Sequence, residues 1–160
     1  MTWQLRRATP GDLDSIMAIE RTVFASDAWS QESMAAELGD RHGYYLVAFP
    51  VGEPSRVEAY AGLRAPHGEP QADIQTIAVA ETARRQGLGR VLMQTLIGEA
   101  RQRGAHEVFL EVRADNPGAQ ALYESLGFEA IAVRPRYYKP DDVDAIVMRL
   151  AIVDPGVTVA

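Results

Sequence analysis

Apolar positions in this chain follow two periods, and the switches between them mark out the elements. Trp3 to Arg7 is short and alternating, as in a strand. Thr9-Pro10-Gly11-Asp12 is a helix start: Thr9 caps, Pro10 takes the first turn and Asp12 completes a capping box. Leu13, Ile16, Met17, Val23 and Phe24 then share one helical face. Trp29-Ser30 opens a second helix reaching about Leu38. Tyr44 to Phe49 and Val57 to Leu63 form a hairpin across Pro50-Val51-Gly52-Glu53-Pro54, and Ala72 to Val79 is the fourth strand. After Gly87 the period returns to helical, with Leu88, Val91, Leu92, Leu96 and Ala100 on the buried side and Arg101-Gln102-Arg103-Gly104 at the end. Glu107 to Val112 is a fifth strand; Asn116 and Pro117 open a helix that Gly127 ends, and two strands follow. The order β-α-α-β-β-β-α-β-α-β-β gives an α/β (α+β) class, a mixed sheet flanked by helices rather than regular β-α alternation.

Composition narrows the function. The 160 residues suit one domain, expected over 1–150 with 151–160, including Asp154-Pro155-Gly156, as a loosely attached tail. No apolar run approaches the length of a membrane span, and the N-terminus lacks a signal-peptide core. There is no cysteine, which excludes disulfides and thiolate chemistry; His42, His67 and His106 are scattered, so no metal is expected. A net charge of −6 argues against general nucleic-acid binding and suits a cationic substrate, or plain solubility. A cytoplasmic monomer is the expectation.

The densest chemical signal is Ile77-Ala78-Val79 followed by Arg84-Arg85-Gln86-Gly87-Leu88-Gly89-Arg90. A strand leads into a basic glycine loop that opens a helix, an arrangement suited to a phosphorylated ligand. A Walker loop would need Lys-Ser/Thr where Arg90-Val91 stands. A dinucleotide fingerprint would need a third glycine at Leu92 and a glycine directly after the strand, although Glu111 does lie about 20 residues on.

The remaining pattern, Arg84-x-x-Gly87-x-Gly89, resembles the acyl-CoA loop of GCN5-related N-acetyltransferases, the GNAT superfamily. Asn116-x-x-Ala119-x-x-Leu122-Tyr123-x-x-x-Gly127-Phe128 resembles its second signature. Leu110-Glu111-Val112-Arg113-Ala114-x-Asn116 and Arg136-Tyr137-Tyr138 before Asp144-Ala145-Ile146-Val147-Met148 look like the ribosomal-protein alanine N-acetyltransferases within it. The resemblance covers roughly 1–150 and is strongest from Ile77 to Met148. One departure is Ala28, where the family has a proline before Trp-Ser.

The resemblance implies a GNAT fold: a mixed, mostly antiparallel sheet of about seven strands with about four helices. Its fourth and fifth strands splay, and the cofactor, acetyl-CoA, lies in the gap. The amides of Arg85, Gln86, Gly87, Leu88, Gly89 and Arg90 would hold its pyrophosphate, and the backbones of Ile77, Ala78 and Val79 its amide arm. Side chains at Gly87 and Gly89 would block that approach. Asn116 reads as a helix cap, as a cofactor contact, or both.

Direct transfer needs a base and an acid. Glu111, flanked by Leu110 and Val112, is the candidate base, or else a solvent-facing strand residue. Tyr123 is the candidate acid, or else a core tyrosine beside Leu122 and Leu126. Tyr137 and Tyr138, placed in a loop between strands, line a peptide groove or pack a hairpin; Trp29 reads as core. An α-amine, near 7.7–8.0, loses its proton more readily than lysine near 10.4, which favours a protein N-terminus as partner. The expected function is acetylation of an N-terminal alanine of a ribosomal protein. The alternatives are a small amine, a polyamine or a lysine as acceptor, or a non-catalytic acyl-CoA-binding regulator.

Overall fold

The computed structural model describes residues 2–152. Strand β1 (Trp3–Arg7) leads through a 3-10 turn (Pro10–Asp12) into α1 (Leu13–Phe24). A second short turn (Ala25–Asp27) connects to α2 (Gln31–Gly39). Then follow β2 (Gly43–Pro50), β3 (Ala59–Arg64), β4 (Gln71–Val79), a third turn (Glu81–Ala83) and α3 (Leu88–Gln102). The chain closes with β5 (Glu107–Arg113), α4 (Pro117–Ser125), β6 (Glu129–Tyr138) and β7 (Val143–Ala151). The sheet order is β1-β2-β3-β4-β5-β7-β6, antiparallel everywhere except β4 against β5.

Strand alternation divides the core between the two faces. Leu46 and Ala48 of β2, Ala59, Ala61 and Leu63 of β3, and Val108, Leu110 and Val112 of β5 meet α3 and α4 on one face. Tyr45, Val47 and Tyr60 meet α1 and α2 on the other. Leu92 and Leu96 of α3 are fully buried, each contributing about 2 kcal/mol. Val91, expected on that stripe, is 45% exposed, and Met93 is buried instead. Thr9 receives half of its box: its amide donates to Asp12 Oδ2 at 2.8 Å, and Arg6 clasps the same carboxylate.

One interruption in β4 sets up the site. Leu63 pairs with Ile74 but Gly62 pairs with Thr76, so Gln75 is an extra, bulged residue. Gln75 and Thr76 therefore both turn to the α1–α2 face, where they meet Glu37 and Glu20. Immediately before the bulge, β4 and β5 stop pairing: Gln71–Glu107, Ala72–Val108 and Asp73–Phe109 are the whole of their ladder. Beyond Asp73, β4 stays with β3 to Val79 and β5 with β7 to Arg113, so the two diverge. This is the splay that the family resemblance implied.

The chain end differs from expectation. β7 runs through Ala151 and Ile152 is buried in the core, so the packed structure continues past 150; residues 153–160 lie outside the described residues.

Candidate active site

The splay opens a cleft of about 990 Å³ that passes through the sheet. Gly89, Asn116, Ala119, Leu122 and Tyr123 line it from the α3–α4 side, and Trp29, Asp27, Tyr137 and Tyr138 from the other. Parting strands leave backbone groups unpaired. Ala80 donates its amide to the Glu58 carbonyl at 2.8 Å, so by strand alternation Ala78 also bonds β3, while Ile77 and Val79 turn theirs to the gap. Ala78 is thus not a backbone contact for a ligand in the gap, and its side chain packs against α1.

At the end of β4 the Val79 carbonyl accepts from Arg84 Nε at 3.2 Å. Arg85 (φ +65°) and Gly87 (φ +77°), both left-handed, then turn the chain into α3. The amides of Arg85, Gln86, Gly87, Leu88, Gly89 and Arg90 have no acceptor within the described residues, and ladder bonding resumes with Val91 on the Gly87 carbonyl at 3.1 Å. Several convergent donors at a helix N-terminus form an anion cradle. The space over Gly87 is open, with nothing within 4 Å of a notional Cβ. Gly89 carries a further constraint: its Cβ would meet Leu122 Cδ2 at 3.2 Å, so its lack of a side chain also lets α3 and α4 pack. Trp3 Nε1 donates to Gln86 Oε1 at 2.8 Å and Arg90 donates to Ser125 Oγ at 2.7 Å, tying the loop to β1 and α4.

Glu111 and Tyr123 approach the gap from opposite faces. On β5, Val112 and Leu110 point into the α3–α4 core, so Glu111 faces the other way. Its carboxylate lies 3.3 Å from Arg134 Nε and faces the Tyr137 phenol, whose proton its charge helps to retain. Tyr123 stacks edge-on against Phe128, with ring centroids 6.1 Å apart, and is 7% exposed. Every buried side-chain polar atom among the described residues has a partner, and the Tyr123 hydroxyl has none, so that hydroxyl opens to the cleft. Burial pushes the phenol up to about 12. Asn116 caps α4, its Oδ1 accepting from the Ala119 amide at 3.1 Å, and also lines the cleft.

Tyr137 and Tyr138, expected in a loop, are the last residues of β6. The β6–β7 register shifts between Arg134 and Tyr138, which swings both rings to the cleft mouth. Burial raises both phenols, as does the charge of Glu111. Arg113 lies against the Tyr138 ring at 5.3 Å and pairs with Asp27 at 3.1 Å, Asp115 at 2.9 Å and Asp141 at 3.5 Å. Asp115 and Asp27 hold its guanidinium above its usual range, against the opposing effect of burial.

Comparison with known proteins gives this geometry a family. Residues 13–128 match the acetyltransferase (GNAT) family. The chain belongs to the GNAT family. It is 38% identical over 143 residues to the [ribosomal protein bS18]-alanine N-acetyltransferase of Escherichia coli K12, covering 88% of this chain and 92% of the relative. An uncharacterized Mycobacterium leprae protein is 38% identical over 88% of this chain, which spans 38% of that longer relative. The crystal structure of the ribosomal-protein-S18-alanine N-acetyltransferase from Escherichia coli superposes with a TM-score of 0.83 at 32% identity, covering 98% of this chain and 99% of the other. Arabidopsis thaliana NAA60, solved in complex with acetyl-CoA, shares the fold at a TM-score of 0.84 and 19% identity over 94% of this chain and 99% of its own.

Within this GNAT frame the structure adds residues that sequence reasoning missed. Glu20 is fully buried; it accepts from the Tyr60 and Thr76 hydroxyls and from the Trp29 amide at 2.9 Å, fixing the α1–α2 connection at the cleft. Its place on the Ile16–Met17 stripe of α1 was the available signal. Asp73, between Ala72 and Ile74, carried the signal that picked out Glu111, a charge inside a strand. The Arg113 partners are dispersed along the chain and gave none.

Proposed function

We propose that this chain transfers the acetyl group of acetyl-CoA to the α-amine of an N-terminal alanine, with a ribosomal protein in the cytoplasm as substrate. The observation that carries this reading is a cleft through the sheet with an anion cradle at one end, Tyr123 on the cofactor side and Glu111 on the substrate side. Support for the acceptor comes from the E. coli relative, whose name states that it acts on bS18 alanine.

The residues present fit acetyl-CoA. The free amides of Arg85 to Arg90 and the dipole of α3 suit a pyrophosphate. The gap-facing backbone groups of Ile77 and Val79 suit the amides of a pantetheine arm. Asn116 flanks the same channel. When bound, the cofactor supplies an activated acyl group on sulfur.

A peptide N-terminus enters between Trp29, Tyr137 and Tyr138. At pH 7 roughly one α-amine in ten is already neutral. Glu111, oriented by Arg134, accepts a proton from the nitrogen directly or through one water. Tyr123 then donates to the leaving sulfur. Against a free thiol near 8.5, a phenol at about 12 is a poor donor by about 3.5 pH units. The burial that raises the phenol also raises the proton affinity of a sulfur seated beside it, which narrows the gap.

The test is a screen of N-terminal peptides with acetyl-CoA, reading free thiol. Peptides beginning with free alanine are acetylated, and N-blocked peptides carrying internal lysine are not. Turnover of only the lysine peptides or of small amines overturns the acceptor; no thiol release with any amine overturns the enzyme reading.

A further inference from the structure

Acetylating an ammonium removes two protons from one nitrogen. The first must leave before the lone pair can attack, the second after the C–N bond has formed. Glu111 can receive one of them, and sulfur is protonated by Tyr123. For the ammonium that makes up most of the α-amine at pH 7, a receiver for the other proton is missing from the machinery described so far.

Asp73 fills that gap. It lines the same cleft, in the last β4–β5 pair before the strands part, opposite Phe109. Glu111 lies two residues further along β5 on the same face, diagonally across from Asp73 at roughly 8 Å between backbone positions. That spacing admits one nitrogen within hydrogen-bond reach of both carboxylates. The side chains nearest Asp73 make their recorded hydrogen bonds to other groups. Arg64, its cross-strand partner on β3, bonds Asp40 at 3.2 Å. Gln75 gives its amide to Glu37 at 2.9 Å, and Arg134 pairs with Glu111. Asp73 has no hydrogen bond or ion pair within the described residues, and it is exposed where it lines the cleft. The protein around it nonetheless desolvates the carboxyl and, with the charge of Glu111 and against that of Arg64, raises it above the usual carboxylate range. A carboxylate that forms no ion pair among the described residues and faces a second carboxylate is a seat for an external cation.

Resting on the amine transfer proposed above, we propose that Asp73 is a further catalytic residue, which pairs with the incoming ammonium and takes its first proton. One N–H bond breaks and an O–H bond forms on Asp73. The freed lone pair makes the C–N bond at the thioester carbonyl, the C–S bond breaks with its electrons on sulfur, and Tyr123 protonates the sulfur. The second nitrogen proton passes to Glu111 and through cleft water back to the Tyr123 phenolate. Asp73 returns its proton to solvent, so amide, thiol and one free proton are the products.

The experiment compares an alanine-initiated peptide with one starting in an aminooxyacetyl group, whose nitrogen is uncharged at pH 7 and has a single proton to lose. Asp73→Asn lowers kcat/KM for the alanine peptide on the order of 10²-fold and for the aminooxy peptide less than threefold, whereas Glu111→Gln impairs both. Coenzyme A affinity by calorimetry is unchanged in each; Asp73→Ser is the second variant should Asp73→Asn be unstable. An alanine-peptide rate within twofold of wild type, or equal losses on both acceptors, overturns the role of Asp73. If wild type ignores alanine peptides but acetylates another amine, the proposed acceptor falls and the same comparison is made on that amine. If it acetylates none, both proposals fall.

Discussion

Arg113 Nη1 lies 3.1 Å from Asp27 Oδ2, joining the end of β5 to the α1–α2 connection across 86 residues of chain. The same guanidinium reaches Asp141 in the β6–β7 connection, and Ser26 bonds Asp141 from the facing side at 3.4 Å. The segments that frame the substrate mouth are therefore tied to one cation. Arg113→Ala is expected to raise KM for a peptide about tenfold while coenzyme A affinity stays unchanged. Arg113→Lys restores little, because an ammonium lacks the planar fork that serves several carboxylates at once. Steady-state kinetics with calorimetry of the cofactor separates the effects.

Tyr123→Phe should lower kcat on the order of 10²-fold with little change in cofactor affinity or melting temperature. The hydroxyl has no partner within the described residues, so its removal costs the fold little. An acid works while protonated, and this phenol keeps its proton until pH rises toward about 12. Ionisation of Tyr123 therefore gives no falling alkaline limb near pH 10 in the kcat profile. A limb centred there, absent in Tyr123→Phe, would contradict the burial effect.

Gly87 separates backbone strain from lost space. At φ +77° an alanine costs about 1 kcal/mol, yet its Cβ touches nothing in the protein. Gly87→Ala should melt a few degrees lower and weaken coenzyme A binding modestly. Gly87→Glu carries similar strain but adds bulk and negative charge to the cradle, and should abolish binding. Thermal melts and calorimetry on the two variants distinguish the contributions.

Asp12 links stability to acid. The hydrogen bonds from Arg6, partly offset by burial and reinforced by the Thr9 amide, hold its carboxyl below the usual range. A group lowered on folding stabilises fully above its unfolded value, near 3.9, and that contribution is lost as pH falls through the folded value. Asp12→Asn should destabilise the protein by about 1–3 kcal/mol at pH 7, and the difference from wild type should shrink as pH falls below the unfolded value and vanish once it has passed the folded one. Melting temperature measured against pH checks the sign.

The order of elements was readable because it rests on local physics. Asn116 caps α4 and Pro117 opens it; Ser30 caps α2, its Oγ accepting from the Ser33 amide at 3.1 Å; Gly104 and Gly127 adopt the left-handed conformation expected after their helices. The glycine loop was readable for the same reason, since a left-handed turn followed by a helix start is written in adjacent residues. Local signals did not give the facing of Val91, the extent of β6 through Tyr137 and Tyr138, or the packing role of Gly89. Each depends on which neighbour arrives from elsewhere. Gly62 is a further case: the Tyr45 ring lies across it so closely that a Cβ would come within 2.1 Å, and nothing near Gly62 in sequence announces that.

By itself the sequence determined the helices, the strands and the cradle, because caps, turns and hydrophobic periods act over a few residues. Only the tertiary structure decided where the sheet opens, since that follows from an extra residue in β4 measured against β3 and from the early end of the β4–β5 ladder. It also decided which carboxylates lack a cation. Arg64, Arg134 and Arg113 choose their partners by distance in space, and Asp73 is left facing the gap because those choices are made across strands.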